Sequence, residues 1–399
     1  MSIAAVSLPG TQVVSLRSVD RPALAAAIFT VAAGCLLLVA EISVRQALLF
    51  LVGVAAGLVL YHAAFGFTSS WRELIVHGRG GGLRAQMLML AATTVVFVPL
   101  IAQGQVFGQP VRGAVAPAGI PVIAGAFLFG VGMQLGGGCA SGTLFSAGGG
   151  SIRMLATLAA FIAGSVLGVR YSAMWATAPA LRPISLLTEL GVLPALAISL
   201  AAFGAIAWVS IAVERRRRGA LEEDPAAGSW RILNGPWTLA SGAIGLAAVN
   251  ISTLLLAGRP WGVTSAFALW GSKFLMALGV DVSAWPYWQP AANAAALHSS
   301  VFADVTSVMD IGIMLGALAA AALAGRWSPV WRVPGRSLAA AVLGGVLLGY
   351  GARIAFGCNI GAFFSGVSST SLHGWLWLVS AFAGNILGTR LRPHFGLRV

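Results

Sequence analysis

The chain has 399 residues, 58 % of them hydrophobic and only 9 % charged, with a formal net charge of +13 from 24 Lys and Arg against 11 Asp and Glu. A soluble domain carries about 25 % charged residues, so this composition cannot cover a water-facing surface, and a mean hydropathy of +0.89 excludes a disordered chain. The basic residues, all arginine except Lys273, are scattered between apolar runs and make no nucleic-acid face. Cys35, Cys139 and Cys358 lie far apart and offer neither a disulfide framework nor a metal-type spacing. No cofactor is expected. The composition is that of an all-α polytopic membrane protein.

About 20 apolar residues cross a bilayer. In chain order the candidate spans are 23–40, 44–64, 86–106, 119–135, 152–169, 190–213, 237–257, 305–324, 337–355 and 373–389, about ten in all. Span 23–40 is longer than a secretory signal core of about 7–15 residues, and its basic flank (Arg17, Arg21) suits an anchor. Alternating the loops from a cytoplasmic N-terminus gathers 17 of the 24 basic residues on the cytoplasmic side. They are Arg17 and Arg21, Arg72, Arg79 and Arg84, Arg153, Arg215 to Arg218 and Arg231, Arg326, Arg332 and Arg336, and Arg390, Arg392 and Arg398. This bias supports ten spans with both termini inside.

The polar stretch 214–231, ERRRRGALEEDPAAGSWR, divides the chain. It reads as a cytoplasmic stop signal, with a lipid- or partner-binding site as the alternative. The organisation expected is a first half over 1–213, a linker over 214–236 and a second half over 237–399. The first half then holds two extra spans, at its N-terminus and over 190–213.

An internal repeat links the halves. Residues 129–170 match residues 348–390 at Gly130/Gly349, Gly132/Gly351, Gly138/Gly357, Cys139/Cys358, Gly142/Gly361, Phe145/Phe364 and Ser146/Ser365. After a one-residue insertion Gly164/Gly384, Leu167/Leu387, Gly168/Gly388 and Arg170/Arg390 follow. Upstream, GFTS at 66–69 matches GVTS at 262–265. Five spans separate the two starts, and an odd number puts the copies in opposite orientation. Inverted repeats are a common construction of secondary transporters, with the substrate at the repeat interface.

Residues 136–150, GGGCASGTLFSAGGG, are too rich in glycine for a stable helix. Irregular backbone at membrane depth is tolerated only where protein buries it or it lines a cavity. A re-entrant loop followed by a short half-helix is therefore expected here, and again over 356–369, FGCNIGAFFSGVSS. The first enters from the cytoplasm and the second from outside, so that Cys139 and Cys358 meet near the midplane. Two opposed helix N-termini aim free N–H groups and partial positive charge at one point, which suits an anion. Gly138, Gly142, Gly357 and Gly361 allow close approach, and Ser141, Thr143, Asn359 and Ser365 add polar groups. There is no acidic ring for cations and no buried acid pair for a proton relay. A thiol is a weak, soft donor and suits sulfur better than phosphate oxygen. Cys35, in an ordinary apolar span, reads as packing.

At these residues the sequence resembles the YeeE/YedE sulfur-transport family. The signals are MQLGGGCASGT at 133–143, FGCNIGAF at 356–363, and AGSVLG and AGNILG closing the two copies. The resemblance implies a bacterial inner-membrane protein that imports thiosulfate or a related sulfur anion, with a TusA-like cytoplasmic sulfur carrier as a partner. It also implies that Cys139 and Cys358 line the pore and pass the anion along by S–H···S contacts. One departure stands out. In the family's early motif Gly57, Phe65, Phe67, Ser69 and Arg72 match, but Gly66 replaces the cysteine, and the equivalent position in the second half is Gly262.

Arg353, four residues before Gly357, is expected either to draw the anion into the outer vestibule or to snorkel to the interface; Gln134 is its counterpart. Arg72 and Glu73 read equally as a gating pair or as loop charges. His62 reads as a packing histidine, and GRGGG at 78–82 lacks the phosphate-loop pattern. The leading reading is a permease for a sulfur-containing anion. A membrane thiol oxidoreductase using Cys139 and Cys358, or a scaffold for a sulfur-carrier protein, are the alternatives.

Overall fold

The computed structural model describes residues 18–224, 226 and 231–398. Arg17 and five residues of the polar linker, 225 and 227–230, lie outside the described residues. The described chain is mostly helical, with no closed sheet.

The first helices are α1 (Arg21–Glu41), α2 (Val44–His62), α3 (Phe67–His77) and α4 (Gly81–Gln103). Asp20 caps α1 by accepting from the Ala23 amide, and Ser43 caps α2 by accepting from that of Gln46. Such caps satisfy donors that a helix start leaves free. A hairpin of β1 (Gln105–Val106) and β2 (Gln109–Pro110) follows α4. Then come β3 (Ala118–Gly119), α5 (Ile120–Gly136), α6 (Ala140–Gly148), α7 (Ile152–Arg170), the short α8 (Ser172–Ala176), β4 (Ala180–Leu181), α9 (Leu186–Leu190) and α10 (Val192–Arg218). The second half holds α11 (Leu239–Ala257), α12 (Thr264–Ala277), α13 (Ala291–His298), α14 (Val305–Leu323), α15 (Gly335–Ile354), a π-helical turn (Asn359–Phe364), α16 (Ser365–Ser368) and α17 (Leu372–Leu391).

Among the described residues nine helical stretches are long and apolar enough to cross a membrane. Each of the ten expected spans falls on a helix, but α17 is outside the nine, because His373, Ser380, Asn385 and Thr389 dilute its apolar residues. Helices α12 and α13 were not expected; at 14 and 8 residues they are too short to signal a span. The boundary at 214 also moves. α10 runs on through the four arginines, since arginine is a good helix former and cations suit a helix C-terminus. Glu214 is buried there, paired with Arg84 at 2.5 Å and accepting from the Gly80 and Glu222 amides.

Packing runs between the halves more than within them. α14 lies along α2, α17 along α5, and α15 between α5 and α7. Glycines permit the contact. A Cβ on Gly57 would stand 2.2 Å from the Ile313 carbonyl oxygen of α14. Positions matched by the sequence repeat make matched contacts with exchanged partners. Gly130 of α5 abuts the Ala381 carbonyl of α17, and Gly349 of α15 abuts the Phe161 carbonyl of α7. Gly164 of α7 abuts Val346 of α15, and Gly384 of α17 abuts Phe127 of α5. Likewise α6 rests on α14 as α16 rests on α4.

Candidate functional site

Four helical segments begin inside the bundle at breaks in the chain. Gly66 precedes α3 and Val263, after Gly262, precedes α12; Cys139 caps α6 and Cys358 caps the π-helical turn. The breaks are the positions matched by the repeat. Two have a non-glycine residue just upstream with positive φ, Ala64 at 45° and Phe356 at 59°. Such strain persists only where the surroundings impose it, and it clusters at working sites. Gly357 has φ +144°, and a Cβ there would lie 2.8 Å from the Ala362 amide. Only glycine fits that turn.

The thiols sit where helix N–H groups are free. Cys139 is 2 % exposed. Its Sγ accepts from the Gly142 amide at 3.4 Å and lies 3.5 Å from Ser141 Oγ, while its carbonyl accepts from Thr143 Oγ1 at 2.8 Å. Cys358 is fully buried, and its carbonyl accepts from the Ala362 amide at 2.8 Å. α6, which Cys139 caps, touches the π-helical turn that Cys358 caps. Gly361 of that turn faces Gly262, whose Cα would be 3.9 Å from a Cβ at Gly361. On the other side Phe67, next to Gly66, meets Phe363 edge to face at 6.3 Å. All four breaks are thus brought together.

A cavity of about 230 Å³ opens onto this centre. It is lined by the start of α3 (Gly66, Phe67, Thr68, Ser69), by Arg72, and by Gly137, Gly138, Cys139 and Gly142. Cys358 does not line it. Arg72 is the one basic residue in this lining, and two more arginines bond the end of α5 beside it. Arg72 donates to Gln134 Oε1, while Arg153 donates to the Leu135 and Gly136 carbonyls and Arg392 to that of Gln134, each at 2.6 Å. Burial first, and then Arg72 and Arg153, push the Arg392 guanidinium down to about 10, which leaves it cationic at neutral pH.

Several expectations change in detail. Arg72 and Glu73 are not a pair, because Glu73 bonds Arg79 at 3.3 Å. They lie on helix α3, which turns the two side chains to different neighbours. Arg353 is tied down, donating to Tyr287 Oη and to Thr264 Oγ1 at the first residue of α12, both at 2.9 Å. Its counterpart Gln134 donates to the Thr68 carbonyl at the start of α3, so the matched positions again serve matched helix starts. His62 packs on Trp237 with ring centres 5.4 Å apart. Cys35 is half-buried on α1 and does not line the cavity. The linker residues Glu222, Glu223 and Asp224 share a cavity of about 500 Å³ with Arg79, Arg84 and Glu214.

Residues not foreseen complete the centre. Asn250 accepts from the Trp261 amide and donates to Ser365 Oγ, which donates to the Trp261 carbonyl. Trp261 Nε1 and both side-chain polar atoms of Asn359 are buried without a partner. An asparagine within an apolar span was the available signal for Asn250.

Gly66 is open to test. A Cβ there would stand 2.5 Å from Ser69 Oγ, a hydroxyl that can rotate away. Gly66→Cys is expected to fold as the wild type does and to place a third thiol on the Cys139 cavity. Labelling by a membrane-permeant maleimide in a Cys35→Ala, Cys139→Ala background checks this; failure to label would put position 66 outside the cavity.

These features define a polytopic membrane protein with paired chain breaks and buried thiols at its centre. Residues 62–387 match the sulphur-transport family, and the chain belongs to that family. It is 27 % identical over 361 residues to the thiosulfate transporter TsuA of Spirochaeta thermophila, covering 84 % of this chain and 95 % of that protein. It is also 34 % identical over 149 residues to the "Probable transporter YedE" of Escherichia coli K12 and 33 % identical over 181 residues to that of Salmonella typhimurium LT2. Those matches cover 36 % and 43 % of this chain but only 35 % and 43 % of the relatives' own lengths.

Proposed function

We propose that the chain is a plasma-membrane permease for thiosulfate or a closely related sulfur-containing anion, and not an enzyme. Its path runs past Cys139 and Cys358 on two opposed re-entrant loops of an inverted repeat, with both termini in the cytoplasm. Residues 1–213 and 237–399 form the two halves, and the linker side receives a TusA-like sulfur carrier.

The observation that carries this reading is the meeting of free helix N-termini with Cys139 on one cavity whose lining holds Arg72. Helix starts stabilise negative charge without a counter-cation, and arginines in and beside that lining raise the local anion concentration. The neutral thiol then offers a soft S–H where an oxyanion site would hold a hydroxyl or an ammonium. The exchanged glycine contacts of the two copies support the inverted repeat. The named substrate of the Spirochaeta relative supports thiosulfate.

Uptake of radiolabelled thiosulfate into a bacterial strain lacking its own importers tests the reading. Uptake above the vector control, competed by unlabelled thiosulfate, is expected. No uptake by protein shown to be in the membrane would refute it, and a disulfide or persulfide cycle on the two thiols would point to the oxidoreductase instead.

A further inference from the structure

One acidic side chain lies in the membrane-spanning part of the bundle with nothing to hold it. Asp310, in the second turn of α14, is 0 % exposed, and neither carboxyl oxygen has a hydrogen-bond partner. No described basic group pairs with it. The other fully buried acid, Glu214, is tied to Arg84 and to two backbone amides; the remaining unpartnered buried groups of the bundle carry no acid. An unpaired carboxylate in such surroundings is prohibitively unfavourable, so the group is held as the neutral acid. Ionisable residues inside spans mark ion or proton pathways.

Its position connects it to the thiols. α14 carries α6, the helix that Cys139 caps, with Gly148 against the Met314 carbonyl one turn beyond Asp310. The fold does not call for an acid here. α4, which carries α16 as α14 carries α6, has no acidic residue at all.

The other charged and titratable groups around it are few. α14 itself has Asp304 at its N-cap, and α12 has Lys273, bound to the Leu297 and Ser299 carbonyls. α2 has Arg45, Tyr61 and His62 near its ends, and α1 has Arg21, Cys35 and Glu41. α6 brings only the Cys139 thiol, and Arg259 is turned to Thr306 Oγ1.

We propose that Asp310 carries the proton that couples this transporter to the proton gradient. The inference rests on the anion-permease reading above. An anion at the thiols and a carboxylate at Asp310 repel each other, so the anion binds to the protonated state. By reciprocity a bound anion tightens the proton in return. Each transit of a thiosulfate dianion then takes one proton from the outer to the inner side, where the carboxyl ionises once the anion has left and the inward-open site admits water.

The test uses the full-length protein in liposomes with radiolabelled thiosulfate, with and without an outside that is more acidic by about one pH unit. One unit is about a tenfold ratio of proton activity, so wild-type accumulation is expected to rise by up to about tenfold per coupled proton. Asp310→Asn keeps the neutral shape. It is expected to exchange labelled for unlabelled thiosulfate as the wild type does, while losing the response to the gradient. An Asp310→Asn protein that responds as the wild type does overturns the proposal, as does a wild type that moves thiosulfate but ignores the gradient. A wild type that moves no thiosulfate overturns the permease reading as well, which separates the two failures. Infrared spectroscopy of the wild type at neutral pH gives a readout that no variant's folding affects. A protonated-carboxyl C=O band supports the proposal, and its absence overturns it.

Discussion

Cys358→Ala is expected to lower thiosulfate uptake by about tenfold to a hundredfold with the protein still in the membrane. The side chain is fully buried at the start of the π-helical turn, which α6 touches. A hydrogen bond to a charged group contributes about 1.5–3 kcal/mol, and each 1.4 kcal/mol or so is a factor of about ten. Alanine deletes one buried atom, and Trp377 Nε1 still donates to the Gly357 carbonyl at 3.2 Å, so the turn keeps its anchor. Serine restores a donor of similar size but harder character, and Cys358→Ser is expected to recover less than half of the loss. Uptake rates measured at equal expression decide the matter. Wild-type rates in the alanine variant would mean that the cysteine is there for its small volume.

Gly57→Leu is expected to prevent the protein from assembling. A Cβ at 57 would stand 2.2 Å from the Ile313 carbonyl oxygen and 2.8 Å from the Ala317 amide. Both are backbone atoms of α14, and neither can swing aside. Overpacking a core costs about 1–3 kcal/mol when side chains can shift; here a whole helix would have to move, and with it Asp310 and α6. Gly204→Leu is the control, because that glycine of α10 has nothing within 4 Å of its missing Cβ. Thermal melting in detergent is expected to show Gly204→Leu near the wild type and Gly57→Leu unfolded or absent from the membrane fraction. Equal melting of the two would contradict the close packing of α2 on α14.

Much of this architecture is legible in the sequence, for physical reasons that differ from part to part. Length and apolarity mark a span because a bilayer imposes one thickness, which is why all ten expected segments fall on helices. The repeat announced itself through glycines, since positions such as Gly130 and Gly349 are fixed by backbone contact and tolerate no other side chain. The thiols stood out because Cys139 and Cys358 occupy matched glycine-flanked breaks. What escaped was whatever depends on a partner distant in sequence. Arg353 read as a cation either at the vestibule or snorkelling to the interface, but Tyr287 and Thr264, which hold it, come from segments with no span signal. α12 is too short for a hydropathy window, and the run 215–218 looked like loop because charge alone does not say where a helix stops. Asp310 was visible as an acid within span 305–324. Only the bundle around it reveals that it is unpaired.

The exchanged packing of the two copies bears on how such a protein can move. α14 belongs by sequence to the second half and lies along α2 of the first; α15 is wedged between α5 and α7, and α17 runs along α5. The halves are interlaced like the fingers of two hands, with carbonyl oxygens of one pressed on the glycines of the other. A transporter whose halves meet at a smooth face can rock one against the other. This one has no such plane of slip. The short segments that start at Gly66, Val263, Cys139 and Cys358 stand apart from that frame, each beginning at a break in the chain.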